Sequence, residues 1–207
     1  MSMKSELKRK TFHLTGLSVP ALYLLFGREV TLTFVALAFA LFVVLEPFRI
    51  VENLRDRIKR RLNLYVPSEL IERVEREVDG IAREHERRGI ASHIYFTLGA
   101  LTVVYFFPPD IAVGAIAVAT LGDAVAAMVG KPFGKHRFKN GKSVEGSIAY
   151  FAVAFLILAL IDLPHALVGA LAGTLAEFYE LPPDDNLSNQ LAVAIVLYAF
   201  RKAFFGI

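Results

Sequence analysis

The chain has no cysteine and no tryptophan among its 207 residues. The lack of cysteine excludes disulfide bridges and thiolate metal sites, and it leaves the redox compartment undetermined. We expect no cleavable signal peptide, because the first apolar run is flanked by residues of functional type. Charged residues are also scarce over long stretches, so that the polar side chains are collected into a few segments.

Apolar residues make up 55% of the chain, and the mean hydropathy is +0.50. They form runs of about 17–20 residues, long enough to cross a hydrocarbon layer of about 30 Å as helices. The sequence therefore predicts an all-α, polytopic integral membrane protein, with one transmembrane catalytic domain over residues 1–207. The predicted spans, about seven in number, cover residues 11–26, 30–48, 91–107, 111–129, 147–161, 164–178 and 187–204.

Residues 49–90 differ in character, since they are rich in arginine and glutamate and carry apolar residues at helical spacing. This pattern predicts an amphipathic helical insertion of one or two helices, lying on the membrane surface or over the helical bundle. For the first half of the segment, a solvated charged connector is an equally good interpretation.

The distribution of positive charge predicts the orientation of the chain. With a cytoplasmic N-terminus, one face collects 20 of the 23 lysines and arginines and the other face only 3. We therefore expect the N-terminus inside and the C-terminus outside. The N-terminal basic segment, residues 49–90 and the loop 131–146 then all lie on the cytoplasmic face.

The segment from 120 to 146 joins an acid within an apolar run to a cationic loop. A carboxylate such as Asp123 costs about 2.5–3.5 kcal/mol to insert in a bilayer, so it is expected to face the bundle interior. Lys142 and Ser143 stand at the predicted start of a helix, where the dipole and free N–H groups favour a phosphate. The stretch lacks the glycine spacing and the strand of a P-loop, which we exclude. Three interpretations of Glu145 are open: a capping acid, a metal ligand, or a partner of Lys142.

A second acidic group lies on the same predicted face. Glu177 falls within an apolar run, Glu180 and Asp184 follow it, and Asp185 and Asn186 open the seventh span. The plainer interpretation of the last two residues is a helix cap in a polar turn. Two acid-bearing segments facing one cationic loop nevertheless suit a nucleoside triphosphate with its magnesium ion, because phosphoryl transfer depends on positioning and charge neutralisation.

Three polar residues, Arg9, Lys10 and His13, open the first span. Arg9 and His13 are one helical turn apart and share a face of the helix. Taken alone, Arg9 and Lys10 are explained by anchoring in anionic headgroups, and His13 by a structural role. His85 and His93 have no partners at metal-ligand spacing, so we predict no zinc site.

Taken together and in chain order, these motifs resemble the CTP-dependent lipid-alcohol kinases. That family includes dolichol kinase, phytol kinase and the fungal CTP-dependent diacylglycerol kinase, and it is related to the phosphatidate cytidylyltransferases. The resemblance is carried by Arg9-Lys10-x-x-His13, Gly122-Asp123-Ala124, Gly130-Lys131, Gly134-Lys135, Lys142-Ser143-Val144-Glu145-Gly146-Ser147, Glu177 and Asp185-Asn186-Leu187. The chain departs from the family pattern after Leu187, where Ser188-Asn189-Gln190 replaces Thr-x-Pro.

The resemblance implies transfer of the γ-phosphate of CTP to a membrane isoprenoid alcohol of the polyprenol, dolichol, geranylgeraniol or phytol type, with Mg²⁺ or another divalent cation. The implied catalytic residues are Asp123, Glu145, Glu177 and Asp185, of which Asp123, Glu145 and Asp185 would hold the metal. The implied nucleotide-binding residues are Lys131, Lys135, Lys142, Ser143, Asn186, Gly122, Gly134 and Gly146. Arg9, Lys10 and His13 would lie at the lipid interface. We expect CTP, the alcohol and the membrane as partners, and no nucleic acid.

Other functions remain open at this point. A CTP-dependent cytidylyltransferase would use the same nucleotide but make a CDP-activated lipid. An ion-coupled transporter would use Asp123 and Glu177 as intramembrane ion sites, although no inverted repeat is found and the polar groups collect at one face. A non-catalytic membrane scaffold would need none of these side chains.

Overall fold

The computed structural model describes residues 3–50, 52–79 and 90–206, and these form α-helices joined by short turns and one longer loop. Over these residues the all-α prediction is confirmed. The helices are α1 (Met3–Leu14), α2 (Ser18–Ile50), α3 (Glu52–Leu62), α4 (Ser68–Asp79), α5 (Ser92–Phe106), α6 (Pro109–Phe133), α7 (Val144–Ala159), α8 (Leu163–Tyr179) and α9 (Asp185–Phe205).

The long apolar run of α2 is interrupted at Gly27. This residue has φ 77° and ψ −175°, a conformation that glycine adopts without a steric cost. Beyond it, the side chain of Arg28 donates a hydrogen bond to the carbonyl of Tyr105, and Glu46 accepts one from the Ala91 N–H at 2.8 Å. The second part of α2 therefore runs antiparallel to α5. The turn predicted over residues 27–29 is present as a break in helical geometry at Gly27 alone.

Helix α6 lies at the centre of the fold and packs against α1, α2, α5, α7 and α9. Its inward positions are mostly alanine and glycine, and Ala112, Ala115 and Ala124 are fully buried. Small residues let neighbouring helices approach closely without side-chain clashes. This close packing brings the C-terminal half of α6, with Asp123, against the N-terminal helix α1.

The end of α6 lies beyond the predicted end of the fourth span. The helix continues through Pro132 to Phe133, whereas the hydropathy pattern predicts an end near residue 129. The extension is held by Arg137, whose guanidinium donates to the carbonyls of Gly130 at 3.0 Å and Lys131 at 2.9 Å. The hydropathy pattern cannot indicate a helix end that is set by a charged side chain capping the terminal carbonyls.

The seven-span arrangement stays a prediction. Among the described residues, two stretches, Arg9–Pro47 and Pro109–Phe133, are long and apolar enough to cross a membrane. Ser92–Phe106 and Val144–Ala159 are apolar but shorter. Helix α5, at 15 residues, is about 22 Å long at 1.5 Å per residue, which is less than the hydrocarbon thickness. Two apolar helices are consistent with a membrane protein.

The segment 49–90 contains α3 and α4, as expected for amphipathic helices. Residues 80–89, including His85, lie outside the described part of the chain. The position of the segment 49–90 on a membrane surface stays a prediction.

Candidate functional site

A cavity of about 400 Å³ lies where α1, the C-terminal end of α6, the loop that follows it, α7 and α8 meet. This volume falls in the range of small-molecule sites, about 300–1,000 Å³. Its cationic lining residues are Arg9, Lys10, Lys131, Arg137 and Lys142, and its acidic ones are Asp123, Glu177 and Glu180. Segments separated by more than 160 residues thus contribute charges to one concave site.

The first pair of charges in the cavity joins α1 to α6. The Lys10 ammonium donates a hydrogen bond to the Asp123 carboxylate, and Lys10 is only 2% exposed. His13 Nε2 lies 3.6 Å from the same carboxylate oxygen. Each buried charge therefore has a partner of opposite sign, as a buried charge requires. The residues predicted at the lipid interface, Arg9, Lys10 and His13, lie beside Asp123 within the bundle.

The second pair joins the loop to α8. Lys142 Nζ lies 2.6 Å from Glu177 Oε1 and 3.3 Å from Glu180 Oε1. Burial alone would lower the pKa of Lys142, but the charge of Glu177 and its hydrogen bond outweigh burial and raise that pKa above its ordinary value. Lys142 is therefore a permanent cation at the cavity wall at any physiological pH.

Ser143 connects the loop to the start of α7. Its side chain caps the helix by accepting a hydrogen bond from the Gly146 N–H at 3.1 Å. The space around its hydroxyl is limited, since a Cβ at Gly130 would lie 2.9 Å from it and one at Gly134 2.6 Å from it. These glycines let the end of α6 and the start of α7 touch. The contact places the N-terminus of α7, which favours an anion, at the cavity wall.

The loop itself is a short hairpin fastened to α8. An isolated antiparallel bridge pairs Arg137 with Ser143, and Gly141 takes φ 82° at the turn. Asn140 donates a hydrogen bond from its side chain to the Phe178 carbonyl at 2.8 Å. The loop is therefore fixed by contacts at both of its sides, which hold Arg137 and Lys142 at the cavity wall.

Other predicted site residues lie away from the cavity wall. Glu145 pairs with His136, at 2.8 Å between Oε1 and Nδ1, and not with Lys142. The hydrogen bond from His136 holds the pKa of Glu145 at about 2. Gly122 packs against Tyr150, where a Cβ would lie 2.6 Å from the ring. Lys135 is not among the cavity-lining residues.

The predicted residues at the start of α9 are held in a network of their own. Asp184 is the helix cap, accepting from the Asn186 N–H at 2.9 Å, and the Asn186 side chain donates to both Asp184 and Asp185. Neither Asp185 nor Asn186 lines the cavity. A helix cap is present in this turn as expected, but the capping residue is Asp184, and the prediction of Asp185 or Asn186 in that role is wrong.

The segment that departs from the family pattern ties α9 to its neighbours. Asn189 accepts a hydrogen bond from the hydroxyl of the fully buried Tyr150 at 2.6 Å. Gln190 donates to the Phe96 carbonyl at 3.1 Å and to the Asn186 carbonyl at 2.7 Å. The replacement of Thr-x-Pro therefore supplies buried amide groups that join α9 to α5 and α7.

The described residues contain no group of three or more acidic or histidine side chains placed to hold a metal ion. Two carboxylates, Asp123 and Glu177, do line the same cavity. Magnesium in nucleotide sites is held by one or two protein carboxylates together with phosphate oxygens. The cavity therefore fits a metal that arrives with a nucleotide, and the predicted ligand set of Asp123, Glu145 and Asp185 is not gathered at one point.

Four polar residues of the cavity wall, Arg137, Asn140, Ser147 and Glu180, are not among the predicted site residues. Arg137 was visible as a loop cation, but its contacts depend on the fold of the hairpin. Glu180 follows α8 directly, with φ 47° at the helix end, and this places its carboxylate within reach of Lys142. The sequence already places Glu180 in the second acidic group, three residues after Glu177, and the ion pair with Lys142 brings it into the site.

No family model matches the chain, and no solved structure matches it. An uncharacterised protein of Rickettsia prowazekii is 25% identical over 203 residues, which cover 92% of each chain. The dolichol kinase sec59 of Schizosaccharomyces pombe is 34% identical over 92 residues, covering 40% of this chain and 18% of the kinase. The second similarity, though partial, supports a distant link to the dolichol kinase family.

Proposed function

We propose that this protein is a kinase that transfers the γ-phosphate of CTP to the hydroxyl of a membrane isoprenoid alcohol. The observation that carries the proposal is one cavity in which cations of the loop, Arg9 and Lys10 of α1, and the acids of α6 and α8 come together. The partial similarity to a dolichol kinase supports the same class of reaction.

The charge of the cavity supports a metal–nucleotide ligand. Its lining has five cationic side chains and three carboxylates, which is an excess of two positive charges. A nucleoside triphosphate carries about four negative charges, of which one bound Mg²⁺ neutralises about two. The cavity and a magnesium–triphosphate complex are therefore close to neutral together, whereas the triphosphate alone would leave an excess of negative charge.

The residues of the cavity divide into two roles in this proposal. Lys131, Arg137 and Lys142, with the N-terminus of α7, bind the phosphates. Asp123 and Glu177 are the carboxylates that would hold Mg²⁺. When bound, the metal supplies charge neutralisation at the phosphoryl group.

Catalysis of phosphoryl transfer depends on positioning and charge stabilisation more than on covalent chemistry by the protein. The alcohol oxygen forms a bond to the γ-phosphorus, the bond from that phosphorus to the bridging oxygen breaks, and CDP leaves. The hydroxyl proton passes to a carboxylate of the cavity, for which Asp123 and Glu177 are the candidates. The lysines hold the phosphoryl group in line, which is the contribution of positioning.

The outer surface of the bundle is apolar, which agrees with a location in the membrane. Large side chains on it are strongly exposed, including Leu24, Leu25, Leu37 and Leu160, each at least 67% exposed. Exposed apolar area of this extent is typical of a surface covered by lipid or by a partner. With the orientation expected from positive charge, the cavity opens to the cytoplasm, where CTP is available.

The proposal is tested with the purified protein in detergent micelles, Mg²⁺ and γ-labelled CTP. Geranylgeraniol, phytol, a longer polyprenol and diacylglycerol are offered as acceptors. We expect label in one of the prenols, and a loss of about 10²-fold or more for Asp123→Asn and for Lys142→Ala. Lys139→Ala is the matched control, because Lys139 is an exposed cation of the same loop outside the cavity.

The products separate the competing functions. Pyrophosphate together with a CDP-lipid would indicate a cytidylyltransferase instead. Ion-dependent flux without nucleotide would indicate a transporter. If a folded protein forms neither a phosphorylated lipid nor a CDP-lipid, the cavity is not a nucleotide site of this kind.

A further inference from the structure

A second cavity, of about 360 Å³, lies in a groove between α7 and α8, next to the polar one. Its lining is almost wholly apolar and includes Phe138, Val144, Ile148, Phe151, Leu175 and Phe178. Ile148 and Leu175 are more than half exposed, so the groove opens sideways to the outside of the bundle. A groove with this lining and this opening suits a hydrocarbon chain that enters from the surrounding lipid.

Ser147 belongs to the walls of both cavities. Its hydroxyl oxygen is buried and has no hydrogen-bond partner in the described part of the chain. A buried hydroxyl without a partner carries a cost, which a ligand with a polar group at this point would remove. The boundary between a charged cavity and an apolar groove is therefore marked by one unsatisfied polar atom.

The loop of the polar cavity also forms one edge of the groove. Phe138 of the loop meets Phe178 of α8 edge to face, with ring centroids 4.8 Å apart. Asn140 of the same loop binds the Phe178 carbonyl. The same loop thus supplies cations to the polar cavity and the Phe138 ring to the groove, so the two cavities share this loop as a wall.

We propose that the groove between α7 and α8 binds the hydrocarbon chain of the acceptor alcohol, and that the Ser147 hydroxyl binds the alcohol's own hydroxyl at the edge of the polar cavity. The inference rests on the proposed function, which makes the acceptor a lipid alcohol. An amphipathic acceptor of this class has one polar end and a long apolar remainder, matching the polar boundary atom and the apolar groove. Ser147 would then position the attacking oxygen towards the phosphate cavity.

Binding is tested without any reaction. Because the chain has no tryptophan, a single introduced tryptophan is its only indole fluorophore. Phe151→Trp places this reporter in the groove, and Phe178→Trp does so from α8 if the first variant fails to fold. Ile195→Trp is the matched control, since Ile195 is an exposed apolar residue of α9 that lines neither cavity.

The probe is a bromine-labelled geranylgeraniol, titrated into micelles without nucleotide. We expect saturable quenching of the groove tryptophan, reversed by unlabelled geranylgeraniol, and only weak, linear quenching of the control. Equal, unsaturated quenching of both tryptophans would overturn the groove as the binding site.

Kinetics test the part assigned to Ser147. Ser147→Ala should raise the KM for the alcohol about fivefold, the value of one ordinary hydrogen bond, with the KM for CTP unchanged. Ser147→Thr, which keeps the hydroxyl, should restore much of the affinity for the alcohol. Thr174→Trp fills the groove and should raise the KM for the alcohol at least as strongly. Parallel changes in both KM values would indicate a structural role of Ser147 and overturn its assignment.

The two sets of results distinguish this inference from the proposed function. Kinase activity without quenching in the groove, and without an effect of Thr174→Trp, would leave the function standing and overturn the groove. Saturable quenching without phosphate transfer would support the groove as a lipid site and overturn the kinase.

Discussion

Replacing Lys10 by methionine removes the cation of the Lys10–Asp123 pair and keeps most of the side-chain length. The two side chains are 2% and 15% exposed, so water cannot easily take the place of the lost partner. Removing one member of a buried pair costs about 3–5 kcal/mol. Since His13 Nε2 lies 3.6 Å from the same carboxylate and offers partial compensation, we expect about 3 kcal/mol for Lys10→Met.

The assay is thermal unfolding in detergent, followed by circular dichroism of the helices. About 3 kcal/mol corresponds to a fall in Tm of roughly 6–12 °C for a chain of this size. The double variant Lys10→Met/Asp123→Leu should recover most of this loss, because replacing a whole buried pair by apolar residues is often neutral. Arg201→Met is the matched control, since the Arg201–Asp110 pair is more exposed and should be worth about 1 kcal/mol or less.

Phosphate transfer separates structure from function in the same variants. We expect the double variant to be stable and inactive, because both the carboxylate and the ammonium of the proposed site are gone. A single variant Lys10→Met as stable as the parent would refute the buried pair. A double variant that still transfers phosphate would refute its place in the site.

Three further predictions follow from the packing, the loop and the proposed metal. Gly122→Ala should destabilise the fold by about 1–3 kcal/mol, because its Cβ would lie 2.6 Å from the Tyr150 ring, whereas Gly114→Ala meets only flexible side-chain ends and should be nearly neutral in the same unfolding assay. Because His136 lowers the pKa of Glu145 from 4.5 to about 2, the ionised carboxylate stabilises the loop. This contribution is fully present above the unfolded pKa of 4.5 and is lost as the pH falls towards 2. Cleavage of the loop by pepsin should therefore increase over that window in the parent, while Glu145→Gln should be cleaved readily throughout. Chelation of Mg²⁺ should abolish phosphate transfer and leave the Tm of the nucleotide-free protein unchanged, because a lysine already neutralises each cavity carboxylate of α6 and α8; a large fall in Tm would instead indicate a resident structural metal.

Much of the fold could be predicted because hydropathy and turn residues indicate where its helices lie. Gly27 interrupts the first long apolar run as its sequence context indicates, and Ser143 caps α7 at the expected place. The number of membrane spans could not be settled in the same way. The mean hydropathy of a run does not distinguish a helix that crosses a bilayer from one that is buried by its neighbours, and α5 and α7 are shorter than a full crossing.

The candidate site was predictable as a set of residue types and not as a set of contacts. The loop cations and the acids were found from their isolation in apolar sequence. Their partners were not, since Lys10 meets Asp123 across 113 positions and Lys142 meets Glu177 across 35. Glu145, only three positions from Lys142, binds His136 instead, because the hairpin turns the histidine towards it. Nearness in sequence is thus a poor guide to charge pairing where helices converge.

If the cavity is the proposed phosphate-transfer site, its two lysine–carboxylate pairs also reduce the cost of burying charged groups. Carboxylates that can hold a metal and lysines that can hold phosphates are costly to bury while they await a ligand. Pairing Lys10 with Asp123 and Lys142 with Glu177 neutralises all four groups within the folded chain. On binding of a magnesium nucleotide, each group would exchange its partner, with the carboxylates turning to the metal and the lysines to the phosphates, so that no charge is left unpaired in either state. The same exchange lowers the net gain from each new contact, and we therefore expect affinity for nucleotide to rise when Glu180, the more exposed partner of Lys142, is replaced by glutamine.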